Sequence, residues 1–222
     1  MKKILLGIIV VGLSTLVGCK KDEGNSSSGI QNGSGVTDID GNIYTSVIIG
    51  DQEWMVENLR TTKYSDGTPI PNDTVVDSLS YSGAWSHYDN NSLYESTYGK
   101  LYNWYAVETG KLAPKGWHVP TDAEWTELTD YLAANGHTGT EGTALKSKSG
   151  WNGTDDYGWN GLPGGYWVVD GSFDDVGLGT FWSSSEYNTG LAYLRILNYA
   201  NDDVNSYYSF KEDGLSVRCL RD

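Results

Sequence analysis

Gly116-Trp117-His118-Val119-Pro120-Thr121-Asp122-Ala123-Glu124-Trp125 holds the plainest helix start in this 222-residue sequence. The Thr121 hydroxyl can cap the free amide of Glu124 while the Glu124 carboxylate reaches back, and Asp122 sets a negative charge at the positive end of the helix. Trp125, Leu128 and Leu132 then fall three and four residues apart on one face, and Asn135-Gly136 ends the run. A second, shorter helix is expected over Thr143 to Ser147, and Leu101 to Glu108 reads as a short helix closed by Gly110.

Upstream of that start, Ile43 to Ile49 and Gln52 to Val56 alternate around Gly50-Asp51, which predicts a hairpin. Asp66-Gly67-Thr68-Pro69 and the stretch from Asn72 to Ser96 show turn signals without a sustained period and read as long loops. Downstream of Trp151 the chain becomes a series of aromatic segments punctuated by glycine: Gly165 to Val169, Thr180 to Ser184, Leu191 to Asn198, Ser206 to Phe210 and Leu215 to Leu220. These read as short antiparallel strands. Helices placed ahead of a strand meander predict an α+β fold, loop-rich, with two short helices and a small antiparallel sheet, and argue against a parallel α/β sheet.

The start of the chain speaks to compartment. Lys2 and Lys3 precede an apolar run, Ile4 to Leu16, too short to span a bilayer comfortably, which predicts a secretory signal over residues 1–18. The run ends in Leu16-Val17-Gly18-Cys19, which resembles the bacterial lipobox; it implies a lipid on the Cys19 thiol and a lipid anchor in the membrane. Residues 19–35, rich in Ser, Gly and Asn from Gly24 on, read as a flexible tether, and residues 36–222 as one globular domain. Lys20-Lys21-Asp22-Glu23 looks like the surface-export signal of lipoproteins of the Bacteroidetes group. The expectation is an outer-membrane lipoprotein exposed at the cell surface, with a domain facing the periplasm as the alternative.

Composition narrows the partners. The formal net charge of −14 repels nucleic acid and anionic lipid head groups, so no nucleic-acid partner is expected. Nine Trp, 16 Tyr and 28 Gly argue for a folded, aromatic core and against a solvated acidic coil. Of the two cysteines, lipidation uses one, so Cys219 stands alone and no intramolecular disulfide is available.

Several patterns, in order along the chain, together resemble the Fibrobacter succinogenes major paralogous domain family. They are Trp54-Met55-Val56-Glu57-Asn58-Leu59, Tyr98 to Tyr105, Gly116 to Trp125, Leu162-Pro163-Gly164-Gly165, Trp182-Ser183-Ser184-Ser185-Glu186 and Ser216-Val217-Arg218-Cys219. That family is more distantly similar to the formylglycine-generating and sulfatase-modifying enzymes, through Val119 to Trp125 and Val217-Arg218-Cys219. The resemblance implies a C-type-lectin-like fold, with loops on a small sheet and the first and last strands adjacent. It implies no known activity.

Three function classes remain in view. Formylglycine generation needs two active-site cysteines to bind copper, and one cysteine beyond Cys19 cannot supply them, so a degenerate relative with a residual enzymatic role is the weakest alternative. His87, His118 and His137 lack metal-ligand spacing and no Gly-x-Ser-x-Gly elbow is present, so no catalytic residue is assigned. The favoured expectation is a non-catalytic binding or adhesion module that recognises a glycan or a cell-surface protein through its loops; the alternative is a structural component of the envelope or of fimbriae. Candidate ligand residues are Trp151, Asp155, Asp156 and Trp159 in one polar loop and Glu186 with Tyr187 in another, because aromatic faces beside carboxylates suit sugar or protein contact. No cofactor is expected. Asp155 and Asp156 offer oxygens to a structural calcium ion, although no calcium-loop motif is complete there.

Overall fold

The computed structural model of the chain describes residues 29–72, 81–174 and 177–222. Cys19 and the signal segment lie outside the described residues. The elements run β1 (Val36–Thr37), β2 (Ile43–Tyr44), β3 (Ser46–Ile49), β4 (Gln52–Met55), β5 (Trp85–Ser86), α1 (Glu95–Tyr98) and β6 (Leu101–Asn103). Next come α2 (Trp104–Glu108), β7 (Trp117–His118), α3 (Asp122–Leu132), α4 (Glu141–Leu145), β8 (Tyr166–Trp167) and β9 (Phe173–Asp174). Four longer or closing pieces follow: β10 (Leu178–Asn188), β11 (Leu191–Asn198), β12 (Val204–Phe210) and β13 (Gly214–Ser216), with β14 (Leu220–Arg221) at the end.

The strands form three sheets: β1 with β2, a four-stranded sheet in the order β3-β4-β14-β7, and an eight-stranded sheet along β12-β11-β10-β13-β6-β5 with β8 and β9 branching from β13. The expected α+β domain with two short helices and a small sheet is therefore corrected to a mainly β protein. Two causes account for the difference. Segments that read as isolated short strands join through a parallel pairing, Phe181 opposite Ser216, which brings β13 back beside β10 instead of extending the meander. Residues that read as loop or helix also supply strands: Leu101–Asn103 is β6, and the chain turns helical only where the Asn103 side chain accepts the Ala106 amide.

The helix start behaves as its chemistry requires. Thr121 accepts the Glu124 amide at 3.2 Å, and Glu124 Oε2 accepts the Thr121 amide at 2.7 Å. Trp125, Leu128 and Leu132 form the buried face of α3. Arg195, on β11 and 4% exposed, fastens that helix to the large sheet by donating to Asp122 Oδ1 and, at 3.0 Å, to the Asp122 carbonyl.

Neighbouring residues of several strands serve two different cores. Trp54, Phe181 and Leu220 join Trp125, Leu128, Leu132 and Trp159 in one cluster. Met55, Trp182 and Cys219 join Tyr102, Trp104 and Val217 in the other. Side chains alternate across a strand, so covering both faces produces the unbroken apolar runs seen at these positions. The last strand lies beside an early one, with Leu220 opposite Trp54. The expected tether of residues 19–35 is engaged from Gln31 onward: the Ile48 amide donates to the Gln31 carbonyl and the Gly33 amide to the Ser46 carbonyl, both at 2.8 Å. Backbone groups pair whatever the side chains are, so a Gly- and Ser-rich composition does not by itself mark a free linker.

Candidate functional site

The loop from Trp151 to Asn160 is strapped to the body. The amides of Thr154, Asp155 and Asp156 donate to the carbonyls of Thr143, Lys146 and Ala144 at 2.9, 3.1 and 3.0 Å. Gly153 passes so close to Lys146 that a Cβ would sit 1.8 Å from its carbonyl oxygen, so only glycine fits. Asp155 has a positive φ of 46°, and its Oδ1 accepts the Asn160 amide at 2.7 Å. Asp156 Oδ2 accepts the Thr154 hydroxyl at 2.6 Å. The two carboxylates thus close the loop internally, and among the described residues no group of three or more His, Cys, Asp or Glu side chains is gathered as a metal site.

Trp159, a candidate ligand residue, is 0% exposed. Its ring meets Phe181, Trp125 and Trp54 at centroid distances of 5.2, 5.9 and 6.3 Å. The Arg218 guanidinium lies 3.7 Å from its ring centroid and donates to its backbone carbonyl. With its faces occupied, Trp159 has none to offer a ligand. Trp151 is half-buried, with the Lys146 ammonium 5.8 Å from its ring. The loop is an arm that inserts a tryptophan into the core.

The second predicted location has the opposite character. Tyr187, near the end of β10, is 46% exposed and stacks on Tyr208 with centroids 4.4 Å apart and planes 7° from parallel. Tyr207 continues the array against Tyr208 at 5.1 Å and 8°, and Tyr193 meets Tyr187 edge-on at 5.2 Å. Strand register builds this group: β12 is the outer strand of the described sheet path, Tyr193 stands opposite Tyr208, and the bulges of β10 around Glu186 turn its end. Glu186 Oε1 receives the buried Lys211 ammonium at 2.6 Å, and that ammonium also lies 4.4 Å from the Trp104 ring centroid. Glu186 thus anchors β12 to the end of β10, and Tyr187 faces solvent. Sequence reasoning missed Tyr193, Tyr207 and Tyr208. The available signal was Asn205-Ser206-Tyr207-Tyr208-Ser209, a strand whose aromatics are flanked by polar residues on both sides.

Two groups with acid–base potential, His118 and Cys219, are held in structural surroundings. His118 is gripped at both ring nitrogens, by Asp222 Oδ1 at 2.8 Å and Glu124 Oε1 at 2.9 Å. Burial by itself lowers its pKa, but the two carboxylates outweigh that and the net shift is upward. Cys219 is fully buried, and burial pushes its thiol up, out of reach of nucleophilic chemistry at neutral pH.

The family model of the Fibrobacter succinogenes major domain matches residues 47–221. No curated protein and no solved structure matches the chain.

Proposed function

The chain belongs to the Fibrobacter succinogenes major domain family, and on that premise we propose that it is a non-catalytic binding module which holds a glycan against the tyrosines of β10, β11 and β12. The array of exposed Tyr187, Tyr207 and Tyr208 with half-buried Tyr193 carries this reading. Tyrosine presents a flat apolar ring and a hydroxyl with little side-chain entropy to lose, which suits a sugar ring with one apolar face and a polar rim. Charge plays a small part, because the nearby Glu186 is already neutralised by Lys211. A lipid on Cys19 and export guided by Lys20-Lys21-Asp22-Glu23 would put this face outside the cell, at the outer membrane, where glycans and adhesion partners are met. The adhesive role follows from that placement.

One observation favours the structural reading as a second choice. Strand β12 is outermost in its sheet path, and an open edge can accept a strand from another envelope subunit.

A glycan array probed with the purified chain lacking residues 1–18 tests the first reading. The expected result is retention on a defined set of neutral glycans, weakened roughly three- to tenfold by Tyr187→Ala and again by Tyr208→Ala. An array without signal, or one indifferent to both substitutions, defeats the proposal. Concentration-dependent assembly in place of glycan retention would favour the edge-strand alternative.

A further inference from the structure

We infer that the cleft bounded by residues 56–60, α1 and Asn160 receives the carboxylate of a small hydroxylated acid of the uronic-acid class. The cleft has a volume of about 280 Å³, just below the small-molecule sites that begin near 300 Å³, and so suited to about one sugar ring.

Arg218 lines this cleft and is 1% exposed. Its Nε and Nη2 donate to Asn58 Oδ1 at 3.2 and 2.8 Å, and its Nη1 donates to the Trp159 carbonyl. Those partners are neutral, and of the five N–H groups of a guanidinium they leave one on each terminal nitrogen. Buried charges are ordinarily paired, yet among the described residues Arg218 forms no ion pair. Burial lowers its pKa to about 9, with Glu57 and Asp155 opposing that from a distance, so it remains a cation at neutral pH.

Arg60, half-buried, stands on the wall of the same cleft and also forms no ion pair among the described residues. Its Nε is buried and has no partner, its Nη2 reaches the Ile43 carbonyl only at 3.4 Å, and its guanidinium carbon lies 5.6 Å from the Tyr44 ring centroid. The carboxylates that share the cleft are committed elsewhere. Glu57 accepts the amide and hydroxyl of Thr45 at 2.8 and 2.9 Å, and Glu95 holds Lys100 at 2.7 Å.

Two guanidiniums that form no ion pair among the described residues call for a planar, singly charged acceptor, which a carboxylate supplies. A phosphate would bring extra negative charge beside Glu57 and Glu95. Thr97 and Ser96 at the exposed rim offer hydroxyls to a hydroxylated ring. The chain's formal charge of −14 opposes approach of any anion, but screening beyond about 8 Å at physiological salt leaves the local arginines to decide. This site is independent of the tyrosine array.

Arg218 also braces Asn58 and Trp159, so its own substitution would confuse binding with folding; Arg60 and Thr97 are the informative positions. Calorimetric titration of the purified full chain with glucuronate, glucose and inorganic phosphate provides the test. Glucuronate is expected to bind saturably, with glucose and phosphate at least about tenfold weaker. Arg60→Gln should weaken glucuronate by about tenfold or more, and Thr97→Trp, which fills the rim, should abolish it, each melting within a few degrees of the parent. Tyr208→Ala should leave glucuronate binding unchanged, which separates this site from the glycan face. Absence of saturable glucuronate binding, phosphate binding as tight as glucuronate, or affinity indifferent to both Arg60→Gln and Thr97→Trp overturns the inference.

Discussion

The loop from Trp151 to Asn160 and the face from Tyr187 to Tyr208 share a composition, aromatic rings among Asp, Asn, Ser and Gly, but the fold uses them in opposite ways. In the loop, backbone bonds to residues 143–147 hold the chain down, and Trp159 enters a nest of Trp54, Trp125, Phe181 and Arg218. On the face, an outer strand carries rings that no other described element covers, so they stack on one another and keep 40% or more of Tyr187, Tyr207 and Tyr208 in solvent. An aromatic beside an acid is therefore not by itself a binding signal. What separates the two cases is whether another element packs against the segment.

The sharpest break of this comparison is truncation of the buried ring. Trp159→Ala removes a fully buried tryptophan and the nearer of the two rings against Arg218, so a loss of about 3–5 kcal/mol is expected. At about 2–4 °C per kcal/mol for a domain of this size, thermal melting should fall by about 10 °C. A change of only a few degrees would mean that Trp159 is not the core residue described above.

Asp155→Ala tests whether the loop acids are internal braces. It removes the acceptor of the Asn160 amide and puts alanine at a positive φ, for an expected cost of about 1–2 kcal/mol. If Asp155 instead held calcium, the parent would melt higher on addition of calcium and lower with chelator. The expected outcome is that neither reagent moves it.

A smaller effect, dependent on pH, is expected at His118. Its folded-state pKa is raised, so its contribution is fully present below the unfolded value of 6.5 and is lost as pH rises through the folded value. Glu124 is shifted downward: burial pushes its pKa up, but the bonds from Thr121 and His118 outweigh that. Its contribution therefore holds above the ordinary value of 4.5 and fades as pH falls through the folded value. His118→Gln should therefore lower the melting temperature most near pH 5–6, with the gap to the parent closing by pH 9. A gap that is constant across that range would show that charge on His118 contributes nothing.

The smallest expected effect on stability is on the exposed face, where Tyr208→Ala should shift melting by only a degree or two even as glycan retention falls. If its stability cost matched that of Trp159→Ala, the contrast between the two regions would collapse.

Local chemistry was legible without coordinates. The capping box at Thr121 and Glu124, the buried stripe Trp125-Leu128-Leu132 and the hairpin around Gly50-Asp51 each depend on residues within a turn or two of one another, and each forms. The expected small sheet failed because the extent of a sheet depends on what its segments meet far away, and so do the burial of Trp159 and the pairing of the chain from Gln31 onward. The parallel contact of Phe181 with Ser216, the gathering of Trp54, Trp125 and Trp159, and the placing of Arg218 between Asn58 and Trp159 join residues from distant parts of the chain. The sequence by itself determined the helix start, the hairpin and the membership of residues 47–221 in their family. Only the tertiary structure decided which aromatics face water and where two arginines line a cleft without an ion-pair partner among the described residues, because burial belongs to pairs of elements and is not encoded in either one alone.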